Sequence, residues 1–136
     1  KTILFMINYF TKYKIIFYSS NFILMFEYLF PGSFLGCIIF NNCKIQPQLT
    51  ADFLISTNHF YSFLILSTIG FFTYKNSKKI IYLCVYLIII SILLELFHNF
   101  IPDRSFEYGD LFGNLVGVII AIIGFNLFKK YENIKN

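Results

Sequence analysis

The sequence predicts an all-α fold: an integral membrane bundle of four transmembrane helices, with both termini cytoplasmic (N-in/C-in), in one domain over residues 1–136. Three observations carry this expectation. Hydrophobic residues make up 57% of the chain and charged residues only 13%, about half the charged share of an ordinary soluble protein. The apolar residues fall into four runs separated by short polar links. The lysines gather beside those runs, and on alternate links.

Nineteen Phe and ten Tyr are more than a small water-soluble core can hold, so lipid is the expected solvent for much of the surface. The net charge of +4 forms no basic stripe, and nucleic acid is not an expected partner. Cys37, Cys43 and Cys84 show no metal-binding or redox spacing. Three unpaired apolar thiols are the expected reading; the alternative is a Cys37–Cys43 disulfide, if their loop faces outward.

Residues 1–14 read as a lead-in interrupted by lysines. The first span covers about 15–34. Its run lacks a small-residue cleavage site, so it reads as retained rather than as a removable leader. Pro31-Gly32 can end the helix early, leaving Ser33 to Phe40 as an interfacial or re-entrant segment. Gln46-Pro47-Gln48 marks the next link. The second span is placed at 56–74, the third at 80–100 and the fourth at 109–128, each near the roughly 20 residues needed to cross a bilayer. A basic turn at 75–79 joins the second and third spans. Four spans put Lys1, Lys12, Lys14, Lys75, Lys78, Lys79, Lys129, Lys130 and Lys135 on one side, and only Lys44 and Arg104 on the other. By the positive-inside rule the first side is cytoplasmic.

The link between the third and fourth spans concentrates the polar chemistry. Pro102 cannot continue the third helix and biases Ile101 away from helical geometry, so the chain must turn there, with Ser105 available to cap the fourth helix. Helical spacing puts Asp110, Asn114, Gly117, Ala121 and Gly124 on one face, a stripe of small and polar residues suited to close packing in lipid. Cys84, Ser91, Glu95 and His98 share a face of the third span, and His59, Phe63, Ser67 and Gly70 one of the second. Their ionisable members converge at the outward end. The Phe and Tyr clusters are read as lipid-facing and interfacial belts.

Glu95 inside an apolar run marks a functional-site candidate, as a general acid or base, a cation ligand, or a structural partner of Arg104. Arg104 offers a planar fork for phosphate or carboxylate, or a clamp on Glu95 and Asp110. At least one of these acids is expected within salt-bridge distance of it. Asp110 is assigned a site role with Glu95 in acid–base chemistry. Asn114 is expected to face inward, either hydrogen-bonding across helices or orienting a ligand, and His59 to orient a ligand. Glu107 is expected only to complement the helix N-terminus. Glu95-x-x-His98 has a spacing used in carboxylate-bridged metal sites, but a single copy is thin support, and neither metal nor cofactor is expected.

The run Glu95, Pro102, Arg104, Ser105, Phe106, Asp110, Asn114, Gly117 resembles the signature of the VanZ-like membrane protein family. The resemblance extends over about 56–128, with His59-Phe60 resembling the opening of that family's second span. Ile55-Ser56 replaces the family's usual Asp-Lys pair, and His98 stands where Gln is common. The resemblance implies a small polytopic protein of the bacterial inner membrane. The family takes its name from a member tied to low-level resistance to teicoplanin, a glycopeptide that acts on cell-wall precursors. The expected function is therefore an envelope one: binding or modifying a lipid-linked precursor or polar lipid at an outward polar site. The alternative is a non-enzymatic membrane module whose charged network only stabilises the bundle.

Overall fold

The computed structural model describes residues 2–135, with side chains from Tyr13 onward. Described secondary structure is entirely helical: α1 (Thr2–Leu29), α2 (Phe34–Phe40), α3 (Thr57–Thr73), α4 (Ile80–Phe97) followed by a 3-10 turn (His98–Phe100), and α5 (Tyr108–Lys135). Among the described residues two segments, Ile80–Phe100 and Tyr108–Lys135, are long and apolar enough to cross a membrane. A third crossing is available if α1 and α2 act as one broken span, bent by 82°. At 17 residues, α3 is about one turn short of the usual span length. The expected lead-in at 1–14 lies mostly outside the described side chains, and its main chain from Thr2 continues α1.

The break after Leu29 falls where Pro31-Gly32 predicts it. Gly32 has φ +73°, and a Cβ there would meet the Cys43 carbonyl oxygen at 2.5 Å, so the turn requires glycine. Ser33 then caps α2, its Oγ accepting from the Gly36 N–H at 3.0 Å, while its own N–H reaches the Cys43 carbonyl at 2.7 Å. Cys37 and Cys43 are joined by a disulfide, which replaces the expectation of three unpaired thiols; Cys84 alone is free. The fold of the loop explains the pairing, because α2 reverses at Asn41 (φ 54°) and brings Cys43 back beneath the start of the helix.

Among the described residues, helices α3 and α5 form the most extensive packing. Their contact runs over glycine: a Cβ on Gly113 would lie 2.6 Å from the Ser56 carbonyl oxygen, and one on Gly117 would lie 2.5 Å from that of Phe60. The Ser56 N–H donates to the Gly109 carbonyl at 3.1 Å, fixing the two helix starts together. The expected α3 stripe is buried throughout, at His59, Phe63, Ser67 and Gly70. In α5 the buried face is Gly113, Asn114, Gly117, Val118, Ala121 and Phe125. Gly124 is the exception to the predicted stripe: nothing lies within 4 Å of its would-be Cβ, and Phe125 turns inward to stack on Phe71 instead.

The core is apolar, with Phe17, Phe63, Leu66, Leu87, Leu94 and Val118 among its members. Large apolar side chains such as Phe22, Ile81, Ile89 and Ile123 point outward. A helical protein with this surface is suited to a lipid solvent.

Candidate functional site

Four helices deliver polar side chains to one buried cluster: Tyr28 from α1, His59 from α3, Glu95 and His98 from the end of α4 and its 3-10 turn, Asp110 and Asn114 from α5. All but Asp110 are nearly or wholly buried; the Asp110 side chain keeps 21% of its surface exposed. Burying so many polar groups is costly unless each finds a partner, and the partners can be followed atom by atom.

Asn114 Nδ2 donates to the Ser91 carbonyl at 3.1 Å, which leaves its Oδ1 as an acceptor. The Tyr28 hydroxyl donates to that oxygen at 2.6 Å. Tyrosine has one hydroxyl hydrogen, so the contact of Tyr28 Oη with His59 Nδ1, at 3.0 Å, must use a hydrogen on the imidazole. Asn114 Oδ1, 3.2 Å from the same nitrogen, shares it. The network thus assigns a hydrogen to Nδ1. The opposite nitrogen, His59 Nε2, faces Asp110 Oδ2 at 3.3 Å.

A second imidazole–carboxylate pair lies deeper. His98 Nε2 donates to the Tyr28 main-chain carbonyl at 3.1 Å, and its Nδ1 faces Glu95 Oε2 at 3.2 Å. The other Glu95 oxygen, Oε1, accepts the main-chain N–H of Glu107 at 3.0 Å. Oε2 makes no hydrogen bond of good geometry, although His98 and His59 Nδ1 (3.7 Å) stand near it.

Glu95, Asp110, Asn114 and His59, picked out from the sequence, are therefore brought together. Arg104 is adjacent but differently engaged. It donates through Nη2 to the Glu27 carbonyl at 2.9 Å and through Nε to the Phe30 carbonyl at 3.4 Å, and among the described residues no carboxylate comes within ion-pairing distance. The expected bridge to Glu95 or Asp110 is replaced for a physical reason. The last carbonyls of a helix lack intrahelical partners and carry the negative end of its dipole, and the end of α1 presents them to the guanidinium. Partial burial lowers the Arg104 pKa, while Tyr28, Asp110, Glu27 and Glu95 pull it upward.

Two local expectations also change. α5 starts at Tyr108 rather than beside Ser105, and its first turn is closed onto the Glu107 carbonyl by the N–H groups of Asp110 (3.2 Å) and Leu111 (3.1 Å). Ser105 only reaches the Glu107 side chain, at 3.4 Å. Tyr28, read in the sequence as one of a belt of tyrosines, is a central member of the cluster. The available signal was its place beside Glu27, close before the Pro31 break and hence level with the elbow.

Beside the cluster opens a cavity of about 310 Å³. His59, Tyr28 and Arg104 line one part of it, Gln46 and Gln48 another, and Leu35, Ile39 and Leu49 give it an apolar wall. The arrangement defines a helical protein with segments long and apolar enough to cross a membrane and a buried His–carboxylate cluster at the end where its polar links gather. No protein-family model, curated protein or solved structure matches the chain.

Proposed function

We propose that this is a VanZ-like, multi-pass protein of the bacterial inner membrane, with four spans, N-in/C-in, that binds a phosphate-bearing lipid or lipid-linked envelope precursor at its outward face. The observation that carries the reading is the cavity shared by Arg104 and His59. A guanidinium without a carboxylate partner is suited to a phosphate or other oxyanion, and the wall of Leu35, Ile39 and Leu49 suits the first part of a hydrocarbon tail. Lysine placement supports the orientation. The packing of α3 along α5 supports counting it as a crossing too, one that is short for a bilayer.

In this reading Arg104 holds the anionic group, and His59 and Asn114 orient the ligand. Asp110 exchanges protons with the cavity through His59, and Glu95 sets the charge behind it. Such groups suit general acid–base chemistry, so modification of the bound lipid is the proposed extension of binding. A link to glycopeptide resistance of the teicoplanin type rests on family resemblance. The test is binding of polyprenyl phosphate to the protein in nanodiscs. Arg104→Gln should weaken it by about tenfold or more, as expected for a lost charge-assisted contact. Equal binding by folded wild type and variant would sink the reading.

A second reading is a non-enzymatic membrane module. It is favoured by one contact, the capping of the α5 start by Glu95 through the Glu107 N–H, which is a structural use of a buried acid. Complementation of a deletion strain separates the two: if Glu95→Gln and Asp110→Asn accumulate as folded protein and complement fully, acid–base chemistry is excluded and the module remains.

A further inference from the structure

We propose that His59, Glu95 and Asp110 form a binding site for a divalent transition-metal cation of the zinc class. One ligand atom from each residue lies within 4.8 Å of the other two. The 3.3 Å between His59 Nε2 and Asp110 Oδ2 is close to the separation of two ligands around a tetrahedral zinc, about 3.3 Å for bonds of about 2.0–2.1 Å. The three residues come from α3, α4 and α5, so packed helices rather than a mobile loop hold them apart.

Two independent observations point to a cation in this space. The first is the donor count at His59. With Nδ1 spent as a donor toward Tyr28 and Asn114, a neutral ring turns the lone pair of Nε2 toward a carboxylate oxygen. Two acceptors facing each other at 3.3 Å need a hydrogen or a cation between them. Metal-binding histidines characteristically donate their other ring N–H to a fixed oxygen, which is the role Tyr28 and Asn114 play here. The second observation is Glu95 Oε2, wholly buried, with His98 Nδ1 3.2 Å away but no hydrogen bond of good geometry, while Oε1 is held by Glu107. A buried carboxylate oxygen left open in this way calls for a partner.

The charge balance agrees. Two carboxylates share the cluster, and the nearby Arg104 is turned to main-chain carbonyls. An imidazole in the donor set, with three ligands rather than six or more oxygens, fits zinc better than magnesium or calcium. Of the three ligands, His59 lines the cavity and Asp110 is the one with exposed surface. This inference does not rest on the lipid-binding reading, since it concerns the cluster behind the cavity and not Arg104.

The test uses the full chain in detergent, stripped with a chelator and titrated with Zn²⁺, Co²⁺ or Mg²⁺ alone. Wild type should take up one equivalent of Zn²⁺ and melt at a higher temperature with it, Co²⁺ should give visible absorption from bound nitrogen and oxygen ligands, and Mg²⁺ should not compete. Tyr28→Phe should weaken Zn²⁺ binding by about 10–100-fold, the range for loss of a ligand-orienting group. Asp110→Asn and His59→Gln should weaken it more, whereas the distant Glu132→Gln should bind as wild type. Asp110 is at the rim, so Asp110→Asn decides the matter even if His59→Gln does not fold. The proposal is overturned if wild type takes up no equivalent, or if folded Asp110→Asn binds and is stabilised by Zn²⁺ as wild type is.

Discussion

Glu95 Oε1 accepts the main-chain N–H of Glu107 at 3.0 Å, so an acid on one helix closes the start of the next. The bond spans the elbow and couples a wholly buried side chain to an exposed residue. Glu95→Gln keeps an acceptor oxygen for this N–H, whereas Glu95→Ala leaves it and His98 without their partner. Removing one member of a buried polar pair costs about 3 kcal/mol or more, and a conserved-shape exchange nearer 1 kcal/mol. Unfolding of the purified variants should rank wild type above Glu95→Gln and both well above Glu95→Ala. Equal stability of the two variants would mean that the cap contributes nothing.

The glycines of α5 make opposite predictions. At Gly117 a Cβ would press on Phe60 main chain at 2.5 Å and on the Leu64 nitrogen at 2.9 Å. Main chain cannot step aside, so Gly117→Ala should push α3 and α5 apart and cost about 1–3 kcal/mol. Gly124 has open space, and Gly124→Ala should be neutral or stabilise by up to about 1 kcal/mol through helix propensity. Thermal melts of the two variants side by side check the contrast.

The Cys37–Cys43 bond predicts a thiol count. Denatured but unreduced protein should react with one equivalent of maleimide, at Cys84, and reduced protein with three. Three equivalents without reductant would show that the pair does not form.

The proposed orientation is open to direct measurement. A reporter fused after Lys130 should behave as cytoplasmic, and one inserted after Asp103 as external. An external carboxyl end would remove the case for an outward cavity.

Much of the helical plan was legible because it is local. Pro31-Gly32 and Pro102 break helices through their own backbone geometry, and a period near 3.6 assigns His59, Ser91, Glu95 and Asn114 to buried faces whatever they touch. The partners were not legible. Whether Arg104 meets a carboxylate or the carbonyls ending α1 depends on where α1 stops relative to the elbow. Tyr28 carries no mark that separates it from nine other tyrosines until the rotation of α1 turns it toward Asn114. Phe125 displaces Gly124 from the buried face because a ring on Phe71 was available to stack upon, a contact made between residues 54 positions apart in sequence.

The brevity of α3 has a consequence for the membrane itself. Its 17 residues rise about 26 Å, while an average bilayer presents about 30 Å of hydrocarbon. The bond between Ser56 and Gly109 holds the amino-terminal ends of α3 and α5 level, so the shortfall cannot be shared by sliding one past the other. At the opposite end Lys75, paired with Glu132, and Lys129 set a polar boundary that resists being drawn into lipid. In the proposed four-span topology, a surrounding bilayer would therefore thin locally by a few ångströms, at a fraction of a kcal/mol for each. Under that topology acyl-chain length would be a determinant of where the protein resides and of how firmly its helices stay together.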